Sequence, residues 1–188
     1  MSPEDFEPRF LAAEDGDPWA FASSAYEQRR YDLAVGLLDR PRYRRVFEPG
    51  CAVGELTRRL ADRADAVVGL EPSTTALAVA RRRTAGVPGV TLTRGAVPED
   101  WPDGPFDLVV LSEIGYYFDR DELAALVRRA HRSAAPDGQL LAVHWRGDSE
   151  DHLLHGDVVH EVVASTLGAG PAVELVDPGF VAARWELP

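Results

Sequence analysis

Two carboxylates and two glycines stand at a spacing suited to holding a nucleoside. In residues 43–73, YRRVFEPGCAVGELTRRLADRADAVVGLEPS, an apolar edge (Val46, Phe47) leads into Glu48, Pro49 and Gly50. Gly54 follows, and a second apolar run, 66–70, ends in Glu71. Gly50 and Gly54 carry no Cβ, so the chain can turn sharply there and approach a ligand closely. Glu71 lies 21 residues after Gly50, near the spacing at which an acidic side chain at a strand tip accepts hydrogen bonds from ribose hydroxyls. The dinucleotide pattern has a glycine where Ala52 stands. A carboxylate such as Glu48 is unfavourable beside pyrophosphate and favourable beside an ammonium or sulfonium. The expected tenant is therefore a nucleoside-containing ligand with positive charge, surrounded by Glu48, Gly50, Ala52, Gly54, Glu71 and Pro72. The plain alternative is a glycine turn in another α/β sheet with nothing bound.

A second set of reactive residues lies further on. The apolar run FDLVVL, 106–111, reads as a strand covered on both faces, and it delivers Ser112, Glu113, Tyr116 and Tyr117 at its C-terminal end. Open α/β sheets place their chemistry there. A fifth strand, 139–143, carries His144, Trp145 and Arg146 at its tip. Glu113 is placed to hold an ammonium or accept its proton, His144 to assist, and Tyr117 or Tyr116 to orient the substrate. The competing reading makes Glu113 a helix cap, His144 a strand-end residue and the tyrosines core. His152, His155 and His160 lie near Asp148, Asp151 and Asp157, but the spacing follows no metal-hydrolase signature, so no metal is expected.

The elements that must position these groups alternate strand and helix. Residues 43–73 form a βαβ unit, 73–84 a second helix, and 90–93 a third strand whose end carries Arg94, Gly95, Ala96 and Val97. A helix capped by Asp119 spans 119–132, a turn at Pro136, Asp137 and Gly138 precedes the fifth strand, and a helix covers roughly 157–167. The last 18 residues read as a β-hairpin about Asp177, Pro178 and Gly179. The expected fold class is α/β: a Rossmann-like, seven-stranded, mostly parallel sheet with helices on both faces and a C-terminal β-hairpin. Residues 1–17, acidic and broken by proline, are expected to be mobile. The remainder, 18–188, reads as a single domain that opens with a helical segment at 18–42. Asp17 and Pro18 suit the start of that segment. Trp19, Tyr26 and Arg30 either pack on a sheet edge or form a lid whose aromatics stack on the ligand.

Composition narrows the class. A 188-residue chain with 45% hydrophobic and 9% aromatic residues reads as a globular domain. All 20 basic residues are Arg, and the net charge of −11 argues against nucleic acid, which requires a basic surface. The single cysteine, Cys51, permits no intramolecular disulfide and suits a reducing cytoplasm, where it serves as a small buried residue. No apolar run approaches the ~20 residues that cross a bilayer.

EPGCAVG (48–54) resembles motif I of the class I S-adenosylmethionine-dependent methyltransferases. With DPW (17–19), YEQRRY (26–31), LSEIGYY (111–117), AVHWRG (142–147) and GDVVH (156–160), the chain from Asp17 onward resembles the nodulation protein S family within that class. The resemblance implies S-adenosylmethionine as cofactor, with S-adenosylhomocysteine as product. It places Glu48 near the methionine portion, Glu71 on the ribose, and Ala96 and Val97 near the adenine. Trp19, Tyr26, Arg30, Ser112 and Glu113 complete the expected cofactor set. The family's reference acceptor is the free amine of a chito-oligosaccharide, so N-methylation of a small molecule, a saccharide or a natural-product intermediate is expected. O-methylation and a catalytically silent partner subunit are the alternatives. A nicotinamide-dependent oxidoreductase is disfavoured by the glycine spacing and by Glu48. The family usually carries an aspartate where this chain has Ala96, which leaves the adenine to weaker binding or to the backbone of Ala96 and Val97.

Overall fold

The computed structural model describes residues 3–187. They form two compact units, one ending at Trp101 and one beginning at Pro102.

In the first unit, strands β1 (Tyr43–Pro49), β2 (Ala64–Glu71) and β3 (Val90–Arg94) run parallel in the order β3-β2-β1. Helix α3 (Glu55–Ala61) crosses from β1 to β2, and α4 (Thr74–Arg83) from β2 to β3. Parallel strands need such crossovers, and this requirement sets the spacing from Gly50 to Glu71. The register pairs Pro49 with Leu70 and Glu71 with Arg94, so the strand tips lie at one end of the sheet. Phe47 is fully buried, and its ring meets the edge of Trp101 at 4.8 Å between centroids.

The N-terminal stretch departs from expectation. The segment expected to be mobile at 1–17 contains a 3-10 turn, Pro3–Phe6, and helix α1, Glu7–Ala12, while residues 1 and 2 lie outside the described residues. Phe10 is 3% exposed against Val53, Ala76 and Val79. Glu7 Oε1 accepts from the Thr75 hydroxyl at 2.7 Å, and its Oε2 accepts from the Thr75 N–H at 3.3 Å. One apolar anchor and one carboxylate at the N-terminus of α4 dock a stretch whose composition alone reads as solvated.

The expected helix from Pro18 is also displaced. Asp17 accepts from the N–H groups of Phe21 and Ala22, closing a turn. Helix α2 runs Ala25–Gly36 with Ser24 as its N-cap. Ser24 is the stronger cap because its hydroxyl reaches the N–H of Glu27, the position a capping side chain serves.

In the second unit, β4 (Phe106–Ser112) and β5 (Ala134–Trp145) are parallel, β7 (Phe180–Leu187) is antiparallel to β5, and β6 (Val173–Val176) is antiparallel to β7. The order is β4-β5-β7-β6, and with the three strands of the first unit it accounts for the seven expected. Helix α5 (Arg120–Arg132) buries Leu123, Leu126, Val127 and Ala130, one face at helical spacing, and Asp119 with Glu122 closes a capping box. The Pro-Asp-Gly turn expected before β5 lies inside the strand. Asp137 takes φ +62 there, and the pairing with β4 shifts between Phe106 and Leu108, so the chain bends without leaving the ladder. Helix α6 (Gly156–Leu167) covers the unit beside α5.

Candidate functional site

The turn after β1 is built by left-handed backbone. Gly50, Ala52 and Gly54 have φ of +71, +45 and +82. A Cβ on Gly54 would lie 3.1 Å from the backbone of Ala80, so glycine is needed both for the turn and for the approach to α4. Ala52 holds the same backbone region at a cost that glycine would not bear. Its methyl is recovered in packing against the Phe10 cluster. Cys51 is buried beside Gly69, and burial, followed by the charges of Glu48 and Glu71, pushes its thiol well above the usual range.

Glu71 closes this turn. Its Oε2 accepts from Ala52 N–H at 2.9 Å and its Oε1 from Ser73 N–H at 2.8 Å. A carboxylate offers about four acceptor positions, so lone pairs remain for two ribose hydroxyls. Burial nevertheless raises Glu71 to about 7. Glu48 is 3% exposed, accepts from the Thr57 hydroxyl at 2.6 Å, and is pushed by burial to about 8. A buried carboxyl so reluctant to ionise fits a cationic ligand, whose charge would offset that cost.

The other residues expected around the cofactor are engaged within the first unit. Trp19 meets Phe10 edge-on at 5.3 Å and stacks on Phe21 at 5.5 Å, while 38% of it remains exposed. Arg30 is 1% exposed, ion-paired to Glu27, with its guanidinium 5.9 Å from the Tyr26 ring centre and 5.3 Å from that of Tyr31. Pro72 O accepts from Arg94 Nε at 3.2 Å. The backbone of Ala96 is already used, since its N–H donates to Asp100 Oδ2 at 2.9 Å and its carbonyl accepts from Asp100 N–H at 2.8 Å. Asp100 thus puts a carboxylate at the tip of β3, and Gly95 leaves room for it. Asp100 was not among the residues expected near the ligand.

In the second unit, Ser112 ends β4 and Glu113 follows at φ +58, an uncommon conformation for a side chain of this size. Glu113 Oε1 accepts from Trp145 N–H at 2.9 Å and Oε2 from the Tyr116 hydroxyl at 2.8 Å. The carboxylate is held between the tip of β5 and the 3-10 turn Gly115–Tyr117 and caps no helix. Tyr116 is 4% exposed, and Tyr117 meets it edge-on at 4.9 Å.

His144, expected to assist as a base, is engaged by its neighbours. It is fully buried, and its Nε2 accepts from Gly115 N–H at 3.0 Å, so the ring proton is assigned to Nδ1. Nδ1 faces His160 Nε2 at 3.2 Å. His160 accepts there, which puts its own proton on Nδ1, an atom with no hydrogen-bond partner among the described residues. With both nitrogens engaged in this way, His144 holds the Gly115 turn. Burial lowers His160 to about 4 against the pull of Asp157, so this ring stays neutral near pH 7. His155 likewise braces the loop, because its Nδ1 accepts from Asp157 N–H and its Nε2 donates to Arg146 O. Among the described residues no group of three or more His, Cys, Asp or Glu could hold a metal ion, and no helix is long and apolar enough to cross a membrane.

Fold and turn chemistry together define a class I S-adenosylmethionine-dependent methyltransferase. The chain belongs to the nodulation protein S family, whose model matches residues 5–168. Nodulation protein S of Bradyrhizobium diazoefficiens USDA 110 is 29% identical over 127 residues, a match spanning 66% of this chain and 61% of that protein. Among solved structures, a Pseudomonas syringae protein described as a methyltransferase is 39% identical with a TM-score of 0.77, covering 87% of this chain and 99% of its own. The N-methyltransferase nodulation protein S of Bradyrhizobium japonicum WM9, in complex with S-adenosylhomocysteine, is 21% identical with a TM-score of 0.82 over 100% of both chains.

Proposed function

We propose that the protein N-methylates an amine on a small molecule, an aminosaccharide or a natural-product intermediate in the cytoplasm, using S-adenosylmethionine. The observation that carries this reading is Glu113, a carboxylate at the end of β4 held in place by Trp145 N–H and the Tyr116 hydroxyl. Support comes from the N-methyltransferase activity and S-adenosylhomocysteine complex of the Bradyrhizobium japonicum relative.

When bound, S-adenosylmethionine supplies a methyl group already activated by its sulfonium. Glu71, with Pro72 beside it, takes the ribose hydroxyls, and Glu48, Gly50, Ala52 and Gly54 surround the cationic portion. The carboxylate of Asp100 takes the adenine amino group that the Ala96 side chain cannot serve. Trp19, Tyr26 and Arg30 belong to a cover over the cofactor.

An amine attacks only with a free lone pair, so an ammonium acceptor must first lose a proton. Glu113 holds the ammonium and accepts that proton. Tyr116 fixes one carboxylate oxygen, and Tyr117 orients the acceptor. An alcohol proton is far less acidic than an ammonium proton, which favours nitrogen.

Incubation with S-adenosylmethionine carrying a labelled methyl group and a panel of amines, amino sugars and matched alcohols tests the reading. Label should enter amines only, and Glu113→Gln should lower kcat at least about a hundredfold, the low end of general-base effects. Transfer to alcohols alone, or full activity in Glu113→Gln, would overturn it.

A further inference from the structure

The loop after β5 places an imidazole inside a box of aromatic rings. His152 stacks on Tyr116 with centroids 3.7 Å apart and planes 16° from parallel. Tyr117 and Trp145 stand near perpendicular to it, with centroids at 5.3 and 6.0 Å. Only 9% of its side chain is exposed. Two carboxylates attend the box: Glu113, bonded to the Tyr116 hydroxyl, and Asp151, whose Oδ1 is 3.9 Å from His152 Nε2. The nearby guanidinium of Arg146 is taken in bidentate fashion by Asp157.

Three ring systems backed by two carboxylates make a receptor for a cation, because ring faces attract positive charge and the carboxylates add to it. The imidazole shows that a planar or compact head group fits between the rings. The loop is tied to this floor through Leu153 N–H and Leu154 N–H, which donate to Tyr116 O at 2.8 and 3.3 Å, so His152 can leave by side-chain rotation while its neighbours stay anchored. Leu153, 58% exposed, gives the rim an apolar edge.

We propose that Tyr116, Tyr117 and Trp145 form the binding box for the ammonium head of the methyl acceptor, with Glu113 as counter-charge, and that His152 fills this box until the acceptor displaces it. The proposal rests on the N-methyltransferase reading and names the chemistry by which that acceptor is recognised: an alkylammonium rather than a neutral amide or hydroxyl. His152 is a competitor for its own substrate, so removing it opens the box.

The test uses tetramethylammonium as probe and the whole protein, with no cofactor added. The proton resonance of the probe's methyl groups reports enclosure by aromatic rings as an upfield shift. In His152→Ala the probe should bind saturably with an upfield shift and at least roughly fivefold more tightly than in the wild type, about one cation–ring contact. Adding Glu113→Gln or Tyr116→Ala to that variant should weaken binding by a similar factor. Equal binding in wild type and His152→Ala, absence of a saturable upfield shift, or indifference to Glu113→Gln would each overturn the box. His152→Ser serves as a second opening variant, and loss of the folded state in both would make His152 a core residue and overturn the proposal. Failure of the methyltransferase reading would show separately, as absence of S-adenosylmethionine binding in a protein that still binds the probe.

Discussion

Glu71 Oε2 accepts the Ala52 N–H at 2.9 Å, and this bond ties the tip of β2 to the glycine turn that follows β1. The group that would hold a ribose is thus also the clasp that shapes the loop beside it. Replacing Glu71 by Ala removes both functions. Affinity for S-adenosylhomocysteine should fall at least about thirtyfold, consistent with roughly 2 kcal/mol for a buried charged hydrogen-bonding group. Far-UV circular dichroism should be unchanged.

The buried carboxyl of Glu48 makes the ligand-free protein sensitive to alkali. Its folded value of about 8 lies above the ordinary 4.5 of a glutamate, so the folded state binds the proton more tightly than the unfolded chain. The resulting stability is complete below about pH 4.5 and is lost as pH rises through about 8; Glu71, raised to about 7, acts in the same direction. Glu48→Gln should therefore gain on the wild type by about 2 kcal/mol between pH 6 and pH 8. Urea unfolding at the two pH values checks this, and a wild type that gains stability over that interval would refute it.

His160 gives the opposite slope at acid pH. Its folded value of about 4 lies below the unfolded 6.5, so its stability is present above 6.5 and disappears as pH falls towards 4. Thermal unfolding of His160→Gln should lose less Tm than the wild type across that window. Because His144 holds the Gly115 N–H and donates to His160, His144→Leu should lower kcat/KM through the displaced Tyr116–Glu113 pair. The acidic limb of the pH–rate profile should not move, whereas removal of a catalytic base would abolish that limb.

Gly115 has no room for a side chain. A Cβ there would lie 2.5 Å from Val159 Cγ1 and 2.7 Å from His144 Nε2. Gly115→Ala should cost about 2 kcal/mol or more by overpacking. Gly170→Ala, with nothing within 4 Å, should be close to neutral, and chemical denaturation of the pair gives the comparison.

The alternation of elements was legible because the periodicities were clean. The apolar run 106–111, the α5 stripe and the hairpin about Asp177 all lie where patterning put them. The places of Gly50 and Gly54 in a turn and of Glu71 and Glu113 at strand ends were legible because glycine spacing and apolar runs mark where strands stop. The docking of α1 was not, since it depends on Phe10 and Glu7 meeting α4 some 70 residues away. The burial of His144 and its Gly115 bond were not legible, because both belong to tertiary structure. Asp100 and His152 sat in loops with no period to read, and only packing brings Asp100 to Ala96 and His152 onto Tyr116.

The central claim, that this chain binds S-adenosylmethionine through Glu71 and the turn before it, is tested most directly by calorimetry on ligand-stripped protein. S-adenosylmethionine and S-adenosylhomocysteine should bind one to one in the micromolar range, NADH should not bind, and Glu71→Ala should bind at least about thirtyfold more weakly. Absence of binding by both sulfur nucleosides in folded wild-type protein, or equal binding to Glu71→Ala, would contradict it.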